Sequence, residues 1–130
     1  MSDSKWLKYA EVAARVLLGL VFVVFGAMYF FMTLPEPDLT TAGGKYFAGL
    51  VAAVFFLPFL KGVEVIAGLM LFTKRWTALA LLVLAPIILQ IVLYEIFLSP
   101  GELVMGAVLV ALAAFLAWRN WHKYAALFKA

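Results

Sequence analysis

Three stretches of this chain, residues 16–34, 76–94 and 103–118, contain no Asp, Glu, Lys or Arg. An α-helix rises about 1.5 Å per residue, so roughly 20 such residues cross the hydrocarbon of a bilayer. A water-soluble fold has no polar surface with which to cover several helices of this kind. Composition agrees: 68% of residues are hydrophobic and 13% charged, against about half and about a quarter in soluble domains. The pattern predicts an all-α membrane protein built as one domain over residues 1–130, a four-transmembrane-helix bundle in a lipid bilayer.

The expected spans are residues 12–34, 58–73, 76–97 and 103–118. Pro35-Glu36-Pro37-Asp38 ends the first in a solvated turn. The uncharged run after Lys5 and Lys8 is longer than a signal-peptide core and has no small-residue cleavage pattern behind it, so it reads as a retained span. Residues 40–57 are apolar beyond Gly43-Gly44 but too short to cross, and predict an interfacial or re-entrant helix. Pro58 then marks a kink or a new helix start, because proline is tolerated in a first turn. Pro86 is a candidate bend in the third span. Ser99-Pro100-Gly101-Glu102 reads as a turn with a helix start attached.

Orientation follows from the basic residues. With the N-terminus inside, Lys5, Lys8, Lys74, Arg75, Arg119, Lys123 and Lys129 fall on the inner side, and Lys45 alone falls outside with Glu36, Asp38 and Glu102. The positive-inside rule then predicts a multi-pass protein of the cell (inner) membrane with both termini cytoplasmic. Trp6, Trp76, Trp118 and Trp121 fall at the inner interface, as an aromatic belt would.

Polar residues inside the spans are the candidates for function, since a charge in hydrocarbon needs a partner or water. Glu64 lies near the middle of the second span, with Lys61 one turn away on the same face. Gln90 comes at a similar depth in the third span. Arg15 lies in the inner part of the first span, where it either snorkels to headgroups or reaches Glu64. Tyr29, Tyr94 and Glu95 fall near the outer mouth, where Glu95 and Glu102 are expected to be solvated. Lys61, Glu64, Gln90, Arg15, Tyr94 and Glu95 together form the candidate ligand-binding set. Two readings of Lys61 and Glu64 stand side by side: an ion pair that fixes helix packing, and a ligand or proton site.

Gly19, Gly26, Gly68 and Gly106, with Ala107, Ala111, Ala114 and Ala117, read as small-residue stripes for close helix packing. The chain has no cysteine, one histidine (His122) and three serines. It contains no phosphate loop, dinucleotide fingerprint, zinc spacing or paired haem histidines, and no self-sufficient catalytic set, so catalytic residues and metal ligands are not assigned. Nor is there a basic cluster interleaved with aromatics for nucleic acid.

The residues resemble the DoxX-like family of small four-span membrane proteins. The resemblance is carried by Arg15, Gly19, Phe22 and Gly26, then by Pro58-Phe59-Leu60-Lys61-x-x-Glu64-x-x-x-Gly68, and then by Arg75, Leu79-Ala80-Leu81 and Pro86-Ile87. It covers nearly the whole chain. It implies a small accessory or binding subunit associated with a quinone-linked respiratory oxidoreductase, with quinone as the candidate ligand, no cofactor assigned, and a membrane complex or a second copy of the chain as candidate partner. Gln90 stands where relatives often carry Asn, and Glu95 where His is frequent. The alternatives are a non-catalytic scaffold or assembly factor of a larger membrane complex, a homo-oligomer among them, and a small transporter.

Overall fold

The computed structural model describes residues 2–32 and 35–128. Helix α1 covers Ser2–Phe31, α2 Ala42–Ala52, α3 Phe56–Leu71, α4 Thr77–Leu98 and α5 Leu103–Arg119, with a short α6 at Trp121–Ala125. One-turn 3₁₀ segments precede α5 (Pro100–Glu102) and follow α6 (Ala126–Phe128). No strand occurs among the described residues. The chain is an all-α membrane protein.

Four helices form a closed ring in which α1 packs on α3 and α5, and α4 packs on the same two. Leu18, Leu71, Leu84 and Leu116, one from each helix of the ring, are completely buried together with Ala80. Outside this core the bundle is inverted relative to a soluble one. In the most apolar stretches of α1, α4 and α5 only 33%, 22% and 17% of residues are buried within the protein. Leu79, Leu82, Leu89, Val104 and Val108 face outward, a surface that only lipid accommodates.

The glycine stripe is a packing device. A Cβ on Gly19 would lie 2.8 Å from the carbonyl oxygen of Gly68, and one on Gly68 2.9 Å from that of Gly19. Gly26 is equally tight, 2.9 Å from the Lys61 carbonyl oxygen. The backbones of α1 and α3 therefore touch along this seam, as close helix association in lipid requires.

The segment between α1 and α3 forms the expected extra helix, though over a shorter stretch. It is not one helix over residues 40–57. Helix α2 ends at Ala52 and α3 starts at Phe56, and the two axes meet at 93°. The break falls before Pro58 because the proline ring of a continuous helix would strike the carbonyl four residues back, that of Val54. Val54 takes a left-handed φ of 55°, and Pro58 sits in the first turn of α3. The second span falls on α3, within two residues of the expected 58–73 at each end. At 16 residues α3 is short for a full crossing without α2 bent onto it, whereas α1, α4, and α5 together with its preceding 3₁₀ turn (Pro100–Arg119, 20 residues) are each long enough. Asp38 and Thr41 build the start of α2. The Thr41 side chain accepts from the Gly44 N–H at 3.0 Å. Asp38 accepts from the Thr40 hydroxyl and backbone N–H, which together hold its carboxyl below the usual range.

The first helix begins ten residues before the expected span, and within the described residues it ends at Phe31; residues 33–34 lie outside them. Helix α4 continues through Pro86 unbroken. The C-terminal tail is folded rather than merely basic. Asn120 caps α5 through a 2.8 Å bond to the Leu116 carbonyl, and the chain then turns so that Tyr124 donates to the Ala78 carbonyl at 2.7 Å. Lys129 lies outside the described residues. At the same end Arg119 pairs with Glu11 at 3.1 Å and joins α5 to α1.

Candidate functional site

The centre of the site is a single turn of α3. Three residues apart, Lys61 and Glu64 project from one face, and their Nζ and Oε2 atoms lie 3.2 Å apart. Glu64 is 3% exposed, and its Oε2 has no aligned hydrogen bond beyond this ionic contact. The lysine side chain is about one quarter exposed. The pair is thus a buried carboxylate with a cation that still reaches open space.

That space is double. A cleft of about 680 Å³ lies between α2, α3 and α4, and a smaller cavity of about 320 Å³ opens among α1, α3, α4 and α5 beneath Phe47 of α2. Lys61, Glu64, Phe47 and Ile91 line both, so the ion pair stands where the two meet. The walls of the larger cleft are mostly apolar, with Leu50, Phe56, Leu57, Leu60, Pro86 and Ile87 prominent. Its polar groups are few: the ion pair, Gln90, Tyr46 and Tyr94.

Helix α2 supplies the side of the cleft that the sequence did not reveal. Gln90 Nε2 donates to the Tyr46 hydroxyl, and the rings of Tyr46 and Tyr94 sit 5.4 Å apart at a tilt of 39°. Gly43 provides the seat, since a Cβ there would lie 2.9 Å from the Tyr94 hydroxyl. Contact between Tyr46 and Gln90 needs the sharp bend after Ala52. The sequence signalled that bend only through Pro58.

Of the six candidates, Lys61, Glu64, Gln90 and Tyr94 share one cleft. Gln90 bonds across to Tyr46 of α2. Tyr29 lines the smaller cavity. Arg15 does not join the set: it forms no ion pair with Glu64, and its Nε is buried without a hydrogen bond. Glu95 also falls elsewhere, and its expected solvation is corrected. It is 3% exposed and lies against Gly106 of α5, because the missing glycine side chain leaves room for its carboxyl. Glu102 is exposed, as expected, and so is His122. No family model gives a significant match to the chain, and neither does any curated protein or solved structure.

A largely apolar chamber with one cation, one carboxylate, one amide and two phenols suits a ligand of mixed character. Its body would pack on aliphatic and aromatic walls, and its head would take hydrogen bonds at the α3–α4 face. Glu64 could accept or hold a proton beside such a head, with Lys61 setting the local charge.

Proposed function

We propose that the chain is a small inner-membrane accessory or binding subunit of a respiratory redox system, of the DoxX-like kind, whose cleft holds a quinone headgroup. The observation that carries this reading is the Lys61–Glu64 pair standing at the junction of two largely apolar cavities. Ionisable groups within a membrane mark functional sites by default, because hydrocarbon penalises them so heavily. Lys61 supplies positive charge to a carbonyl or semi-reduced oxygen, Glu64 a carboxylate for orientation or proton transfer, and Gln90 with Tyr46 a neutral hydrogen-bonding edge. The apolar walls receive the isoprenoid side.

The distribution of basic residues supports an orientation with both termini in the cytoplasm, which places the α2 end of the cleft toward the outer face. The test is extraction of the protein purified with native lipids, followed by mass spectrometry for bound quinone. Quinone is expected in stoichiometric amount with the wild type and depleted at least tenfold with Glu64→Gln and Lys61→Met. Equal retention by these variants would exclude the site.

A further inference from the structure

Glu95 is a carboxyl group of the membrane-spanning helices that the cleft leaves unused and that, unlike Glu11, has no ion-pair partner among the described residues. It projects from α4 toward α5, is 97% buried, and its Oε2 has no hydrogen bond among the described residues. It lines a separate groove of about 400 Å³ on the outside of the α4–α5 pair. The rest of that groove is apolar and low: Gly106, Ala107 and Ala111 alternate with Val92, Leu103 and Val110. Ala107 and Ala111 are exposed although they lie in the middle of the run.

We propose that this groove seats a transmembrane helix of another protein, one that carries a lysine or arginine at the depth of Glu95. Small residues let a second helix backbone approach closely, which is how helices associate in lipid. An unpaired carboxyl oxygen in the same groove supplies the complementary charge, since in hydrocarbon it is costly until a donor meets it. A second copy packed face to face through this same groove does not provide that donor. The only basic residue in α4 or α5 is Arg119, which lies at the far end of α5 and is paired with Glu11. Two such faces brought together would instead oppose Glu95 and Glu102 to their own kind. The occupant is therefore a different, basic helix.

The test uses the full chain in phosphatidylcholine vesicles, with a donor fluorophore on His122→Cys. The probes are two acceptor-labelled leucine–alanine transmembrane peptides, one with a single lysine at the depth of Glu95 and one with leucine there. Energy transfer is expected to report about threefold to tenfold tighter association of the lysine peptide, the size of an interhelical polar contact. Glu95→Met is expected to erase that preference. Ala111→Phe, which alters only an exposed position, is expected to release both peptides. Equal binding of the two peptides would overturn the proposal, as would a lysine preference that survives Glu95→Met. Transfer between copies of the chain itself that Ala111→Phe abolishes would also overturn it, by making a second copy the occupant.

Discussion

Glycine does different things at different places in this bundle, and what its missing side chain faces decides which. At Gly19 and Gly68 the neighbour is backbone, 2.8 and 2.9 Å from a Cβ built there. Backbone cannot move aside without separating α1 from α3. Gly19→Ala and Gly68→Ala are each expected to cost about 1–3 kcal/mol, the usual range for overpacking, read as a lowered midpoint of unfolding in mixed micelles. At Gly106 the neighbour is the tip of a flexible side chain, the Glu95 carboxyl. Gly106→Ala is expected to cost less than either and to swing that carboxyl out of the groove. If all three variants lose the same stability, the distinction between backbone and side-chain contact is wrong. The Lys61–Glu64 pair is costly at this same scale: removing one partner strands a buried charge, whereas replacing both with apolar residues of similar volume is often close to neutral.

The bent pair α2–α3 is the element on which the cleft depends. It turns through 93° at a β-branched residue in a left-handed conformation, Val54, which is 82% exposed. Such a conformation costs an L-residue about 1–2 kcal/mol and is nearly free for glycine. Val54→Gly removes the strain while giving up little packing, and is expected to raise stability by about 1 kcal/mol after the extra chain entropy of glycine is counted. A fall in the thermal midpoint would show that the valine side chain, and not the backbone, holds the bend. The other end of α2 is fastened by Thr41, Asp38 and the Gln90–Tyr46 bond, so the helix is held at both ends over the larger cleft.

Across the whole molecule, the ring of four helices is closed at its terminal end by two polar ties, Glu11–Arg119 and Tyr124 to Ala78. Tyr124 lies beyond α5, and burial raises the pKa of its phenol. A group with a raised pKa binds its proton more tightly in the folded state. Its contribution is therefore complete below the ordinary tyrosine value near 10 and is lost as pH rises above it. Wild type is expected to lose stability over that alkaline range more steeply than Tyr124→Phe. At neutral pH the variant is expected to be about 1 kcal/mol weaker for want of the hydrogen bond. Parallel pH profiles would count against the tie. The lipid-facing class, the long helices and the glycine seam were legible in the residues themselves, because each follows from the local density of apolar and small side chains. So was the Lys61–Glu64 pair, three residues apart on one turn. The tertiary structure alone decided that α2 folds back to bring Tyr46 onto Gln90, that Glu11 finds Arg119, and that Glu95 turns from solvent toward Gly106. Each of these joins residues on different helices, and their meeting is set by a bend angle or a helix rotation. Hydropathy leaves both quantities free, because lipid accepts an apolar helix at any rotation and only side-chain packing selects one.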